Sequence, residues 1–329
     1  MGLDPALAAA VTLRSQRGVH GACTAADTTF QLSLAHVLLD GAYDGVVTLS
    51  DVMGNGDHGL GTLDRLDGEL VVVDGEPWHV PHTGVAARAP LESRTPFVVL
   101  TTMEHTTTVR LQNAGRDEVM AAIDAAIDGP DAVVAVRLDG HFRRVLIRSV
   151  PPQDPPYRPY TEVCATDEVR WEHHGFEGTF VGFRFPDLEI GYSAGTLHLH
   201  GLDTARTTGG HNHEFEIDDA QLSVSVSRDV LLALPDRSML DLLEMPSESR
   251  AVQRALLRRG ALTTSQVALT TQTSVADAER ELAYLADRGF VEVLEHGVAG
   301  LGGEPRWRIT MAARRRNASP RLRGLLGDL

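Results

Sequence analysis

The sequence predicts a protein of the α/β class, mixed α+β and rich in sheet: a two-part body followed by a small winged-helix domain. Three observations carry this. Strand-like apolar runs dominate residues 28–235. The balance of charge changes sign near residue 246. Beyond that point the apolar spacing becomes helical three times in succession and then strand-like twice.

Taken in order, Leu34 to Asp40 and Glu118 to Ile127 have helical apolar spacing, the second through Val119, Ile123 and Ile127. The runs ELVVV (69–73), PFVVLTT (96–102), GTFVGFRF (178–185) and AQLSVSVS (220–227) read as strands. VVAVRL and VLIRSV flank Asp139-Gly140, which predicts a hairpin there. Tyr157-Arg158-Pro159, after Pro155-Pro156, predicts a rigid crossover between the two halves of the body. Then Val252, Ala255 and Leu256 mark a helix, and Thr264 to Leu269 a short second one behind a threonine cap. Ser274 to Arg288, ended by Gly289, makes a third. VEVLE (291–295) and RWRIT (306–310) flank a Gly-rich turn, completing the helix, short helix, helix, two-stranded wing order. The expected boundaries are an extension over 1–27, the body over 28–235, a linker over 236–246, the winged-helix-like segment over 247–312 and an Arg-rich tail over 313–329.

With 329 residues, 43% of them hydrophobic, the chain has material for one large or two to three ordinary domains. Its 30 basic against 45 acidic residues argue against a body that coats nucleic acid or an anionic membrane. Residues 1–246 hold 17 Arg and 36 acids, whereas 247–329 hold 13 Arg and 9 acids. Every basic residue is arginine; the absence of lysine excludes a Schiff-base lysine and a Walker-type phosphate loop. Cys23 and Cys164 are too few for a disulfide framework or a multi-cysteine zinc site. No apolar run reaches the roughly 18 residues of a membrane span. The opening MGLDPALAAAVTLRSQRG lacks a basic start and an apolar core, so a cytoplasmic address is expected.

The stretch from Gly195 to His213 bears the chemistry. On a strand, His198 and His200 project to one side and can share a metal ion. Gly209-Gly210 permits a tight return that brings His211 or His213 back towards them. Three neutral imidazoles leave one tetrahedral position open, the pattern of a catalytic zinc site; iron, cobalt or manganese would also suit. Cupin oxygenases use H-x-H too, but no glutamate follows His200 within a few residues. His173 and His174 read as surface residues.

These residues resemble the metal motif of the alpha-acetolactate decarboxylase family. The likeness includes LLDGAYDG (38–45), the glycine-rich turn and strand over 56–69, TPF (95–97), LDGHF (138–142), the IRSVPPQ and PPY run over 147–157, and GTFVGF (178–183), all in order. It implies that His198, His200 and His211 bind a metal, usually zinc. It further implies that Thr62, Glu69 and Arg148 are active-site residues and that the chain pairs as a homodimer. The implied reaction is metal-dependent decarboxylation of 2-acetolactate to acetoin through a metal-stabilised enediolate. Arginine stays charged, so Arg148 is read as orienting substrate and Glu69 as delivering the proton. Three features depart from the family pattern: Gly201 in place of an aromatic, His58 in place of Phe, and no glutamate tail reaching the metal. Neither Glu244 nor Glu248 aligns with that tail, and water is the expected replacement.

Two alternatives come from other classes: an acetolactate-sensing regulator that uses the winged helix on DNA, and a cupin-type metal enzyme with another substrate. The candidate recognition helix carries Asp277, Glu279, Glu281 and Asp287, which disfavours docking on phosphates. A subunit or partner contact is the favoured role for that segment.

Overall fold

The structure is a computed structural model that describes residues 12–16, 28–104, 106–127, 133–185, 196–227, 229–234, 245–294 and 304–310. Most of the expected extension (1–27) and linker (236–246), the Gly-rich turn and the Arg-rich tail lie outside the described residues. The strands are β1 (Thr12–Gln16), β2 (Thr28–Leu32), β3 (Val47–Thr48), β4 (His58–Leu63), β5 (Asp67–Val73), β6 (Glu76–Val80), β7 (Ala87–Arg88), β8 (Arg94–Thr95), β9 (Phe97–Thr101) and β10 (Thr107–Ala114). They continue with β11 (Val133–Ser149), β12 (Val169–Phe185), β13 (Thr196–Asp203), β14 (Gly209–Ser227), β15 (Asp229–Ala233), β16 (Leu262–Thr263), β17 (Val291–Val293) and β18 (Arg306–Ile309). The mixed, sheet-rich class expected from the sequence is the one observed. Among the described residues no helix is long and apolar enough to cross a membrane.

The chain divides into two compact units: residues 1–35, 43–155 and 163–244 form the first, and residues 36–42, 156–162 and 245–329 the second. The first holds two large sheets. One is eight-stranded, in the order β1-β15-β2-β9-β4-β5-β6-β7; the other is five-stranded, in the order β10-β14-β11-β12-β13. On β5 the alternation is strict. Leu70 and Val72 enter a core with Phe30, Leu32 and Leu100, while Val71 and Val73 face the other way, onto Val181 and Leu202 of the five-stranded sheet. The opposite face of the five-stranded sheet buries a phenylalanine cluster, against which the helix Arg116–Ala125 packs Val119 and Ile123.

Two local expectations are overturned. Asp139-Gly140 makes no hairpin: β11 runs through it for 17 residues, paired with β12 on one side and β14 on the other. Neither residue has the positive φ that a type I′ turn requires. Gly140 is needed for close approach instead, since a Cβ there would lie 2.3 Å from the Asp219 carbonyl oxygen. The run Tyr157-Arg158-Pro159 is no crossover between halves. It lies in the connection from β11 to β12, which are antiparallel neighbours in one sheet.

In the second unit three helices, Ser247–Arg259, Thr264–Thr271 and Val275–Asp287, precede β17 and β18. Caps set their limits: Thr263 accepts from the Gln266 amide, Ser274 from the Asp277 amide, and Gly289 at φ +66° follows the third helix. The small sheet has three strands rather than two, because β16 adds to β18.

The phenylalanine cluster centres on Phe142, whose ring lies edge-on to Phe180 at 5.0 Å and to Phe176 and Phe215 at 6.2 Å. Phe142→Ala should cost about 3–5 kcal/mol in a urea unfolding series. A loss below about 1 kcal/mol would show that these rings are not the core of the sheet.

Candidate metal centre

Three strands of the five-stranded sheet and one of the eight-stranded sheet converge on a group of polar side chains. A regular strand sends every second residue to the same face. In β11, Val134, Val136, Leu138 and Phe142 enter the phenylalanine cluster, but so do Val145 and Ile147. The parity changes around Arg143, where the ladder with β14 is irregular: Asp218 is skipped before Phe142 pairs with Ile217, and Arg143 is skipped before Arg144 pairs with Glu216, while the register with β12 is unbroken. Arg148 is thereby turned away from the apolar cluster. A second shift on β14 puts Asn212, not His213, opposite Ile147, so that His211 pairs with Arg148 and faces the same way. A third lies at Gly68 on β5 and leaves Glu69 opposite Thr62.

His200 pairs with His211 across β13 and β14, and His198 stands two residues before it. Gly210 makes this return possible. Its φ is +147°, and a Cβ on it would lie 2.6 Å from the Arg148 carbonyl oxygen. The His198 Nε2 is 3.1 Å from the Nε2 of His200 and 3.1 Å from the Nδ1 of His211, and the third side of the triangle is 3.3 Å. A tetrahedral ion bonded to nitrogen at about 2.0–2.1 Å requires nitrogens about 3.3 Å apart. The His200 Nδ1–H donates to the Leu70 carbonyl at 2.9 Å, which leaves Nε2 as the lone-pair nitrogen. Burial pushes the pKa of His200 down to about 3 and those of His198 and His211 well below the ordinary value. The Arg148 charge adds to the depression at all three. These are neutral imidazoles with converging lone pairs, and the donor set fits a divalent cation.

Beside them lies a buried chain of charges. Glu69 Oε2 is 3.2 Å from His200 Nε2, and Glu69 Oε1 accepts from Arg148 Nη1 at 2.9 Å. Arg148 Nε in turn is 3.1 Å from Glu168 Oε2. All three side chains are almost fully buried. Burial pushes the Glu69 carboxyl up to about 7, against the pull of Arg148 and with a further rise from Glu168. Burial acts the same way on Glu168, but Arg170, Arg148 and His213 more than offset it and hold that carboxyl below its ordinary value.

All six residues singled out from the sequence lie in this region. Thr62 is the most indirect, since its hydroxyl donates to the Gly68 carbonyl at 2.7 Å. Of the two histidines open as a third ligand, His211 joins the triangle and His213 bonds Glu168 at 3.2 Å. Glu168 was missed, because an acid after Asp167 carries no signal in the sequence. His58 is buried edge-on to Phe183, and burial pushes it down to about 4. Gly201 has no room for an aromatic, as a Cβ would be 2.3 Å from the Phe180 ring. The pair read as surface is split: His174 is exposed, while His173 is half-buried against Phe176.

Comparison with known proteins agrees with this geometry. The family model for alpha-acetolactate decarboxylase matches residues 29–245. The alpha-acetolactate decarboxylase of Methylococcus capsulatus is 35% identical over 208 residues, which is 63% of this chain and 80% of that protein. The enzyme of the same name from Bacillus subtilis is 32% identical over 208 residues, 63% of this chain and 81% of its own. The crystal structure of alpha-acetolactate decarboxylase from Bacillus subtilis strain 168 superposes with a TM-score of 0.62 at 29% identity, covering 75% of this chain and all of that one. Since the family match takes in every histidine of the triangle and both buried glutamates, the chain belongs to the alpha-acetolactate decarboxylase family.

Proposed function

We propose that this protein is an enzyme that decarboxylates 2-acetolactate to acetoin, with zinc as the divalent cation on His198, His200 and His211. The observation that carries this reading is the contact between a neutral three-histidine triangle and a buried Glu69–Arg148 pair. A pure ligand sensor has no need of that pair, and a cupin-type centre lacks support from the family match. We place the catalytic domain at 28–235 and its active-site residues at Thr62, Glu69 and Arg148.

The substrate has a ketone one carbon beyond the carbon that bears its carboxylate. When carbon dioxide leaves, the electron pair flows into that ketone, and the carbon left behind must then take a proton. A bound cation supplies Lewis acidity to the ketone and the neighbouring hydroxyl oxygen. Arg148 cannot release its proton at working pH, so it orients the substrate and holds the developing negative charge. Glu69 has the proton to give. Its Oε1 is engaged by Arg148, so the proton is carried on Oε2, the oxygen on the histidine side. Thr62 fixes the bulge at Gly68 and with it the direction of Glu69.

For the C-terminal part we propose a winged-helix-like domain over 247–312 that serves subunit or partner contact in a homodimer. The charges on its third helix support this over DNA reading. Arg280 is paired with Asp277 at 2.8 Å and lies 3.4 Å from Glu281, and Arg308 pairs with Glu292. These arginines are engaged by acids of their own unit rather than presented to phosphates.

Three outcomes test these assignments. Purified protein should hold about one zinc per chain, and His200→Ala should lose both zinc and turnover; unchanged zinc in that variant would refute the ligand set. Glu69→Gln should keep its zinc and lose at least about 10²-fold in kcat, because the amide has no proton to deliver. Arg148→Lys should fall comparably, and acetoin release near the wild-type rate from both would remove them from the site. The full chain should bind duplex DNA weakly, without sequence preference, and progressively less as salt rises. Nanomolar sequence-specific binding at physiological salt would instead make it a regulator.

A further inference from the structure

The decarboxylase reading leaves unexplained why a second glutamate is buried behind Arg148. Glu168 is the residue before β12. Its side chain is 5% exposed, and its two oxygens do different things. Oε1 is held from outside by Arg170 Nε at 2.5 Å and by His213 Nε2 at 3.2 Å. Oε2 faces inward, 3.1 Å from Arg148 Nε. Arg148 thus donates a hydrogen bond to Glu69 through Nη1 and forms an ion pair with Glu168 on its Nε side.

A guanidinium held at one nitrogen can swing about that bond, whereas a second buried carboxylate beside another nitrogen restrains that swing by charge. The backbone supports the same arrangement, because Arg148 lies directly opposite Arg170 on β12 and opposite His211 on β14. From this geometry we infer that Glu168 is a positioning residue for the reaction. It is anchored from the solvent side through Oε1 and sets the orientation of Arg148 through Oε2. The inference rests on the decarboxylase reading, since it assigns Glu168 a part in that turnover. It also separates Glu168 from the metal ligands: its removal should leave zinc in place and change only what Arg148 does.

The test is a double-mutant cycle on zinc-loaded protein, with zinc content measured for every variant. Glu168→Gln should retain wild-type zinc content and lose about 30- to 100-fold in kcat, with KM within about threefold. Glu168→Asp keeps the charge but shortens its reach by one methylene, and should lose about tenfold. In an Arg148→Lys background, adding Glu168→Gln should change kcat by less than about threefold, because the group it positions is already gone. A Glu168→Gln rate within about threefold of wild type would overturn the inference. So would an equal loss in the Arg148→Lys background, or loss of zinc in Glu168→Gln. If Glu168→Gln does not fold, Glu168→Asp carries the cycle with the same reading. Wild-type protein that releases no acetoin in this assay would overturn the decarboxylase reading and this inference together. An active wild type beside an equally active Glu168→Gln overturns the positioning role alone.

Discussion

A strand offers a polar group only every second position on a given face, and in this protein the other face is already taken by phenylalanines. That constraint governs the whole site. The five-stranded sheet must bury Phe142, Phe176, Phe180 and Phe215 on one side and still present Arg148, His200 and His211 on the other. Regular alternation along β11 would send Arg148 among the rings. The irregularity around Arg143 and the shift at His213 prevent this, and the shift at Gly68 finishes the partner strand. A buried unpaired guanidinium would be far more costly than the few ladder hydrogen bonds lost at a bulge.

Once aimed, the side chains regulate one another. Burial strips three imidazoles of their protons, which turns a cluster of potential cations into a set of lone pairs. The same burial would leave Arg148 isolated were it not matched by Glu69 and Glu168. Two carboxylates around one guanidinium cannot both be equally satisfied. The inner one, Glu69, is pushed up, while Glu168, with its further partners, is held down. One glutamate is thus suited to carrying a proton and the other to carrying a permanent charge, and the difference comes from partners rather than residue type.

How much of this was legible in the sequence follows the range of the interactions involved. The period-two placement of His198 and His200, and the Gly209-Gly210 return to His211, are short-range patterns and read directly. The helices at 264–271 and 275–287 are likewise set by local caps at Thr263 and Ser274. Asp139-Gly140 misleads for the opposite reason. Its turn chemistry is local, but pairing with β12 and β14 on both sides overrides it. The bulges are invisible in the sequence because a register is a property of two strands, and β11 meets partners tens of residues away. Glu168 is hidden in the same way, since only the fold brings it behind Arg148.

The hydrogen bond from His200 Nδ1 to the Leu70 carbonyl crosses from one sheet to the other. The ligand nitrogen of a histidine on the five-stranded sheet is therefore selected by the backbone of the eight-stranded sheet. A cation captured by the triangle fastens the two layers as a clasp does, although it touches side chains of only one. Sliding of the sheets would cost the cation its best-oriented donor, and so the cohesion of the fold would track the free concentration of the ion. Starved of metal, such a protein would keep the apolar seam that Val71 and Val73 form with Val181 and Leu202, and would lose only the added hold of the cation.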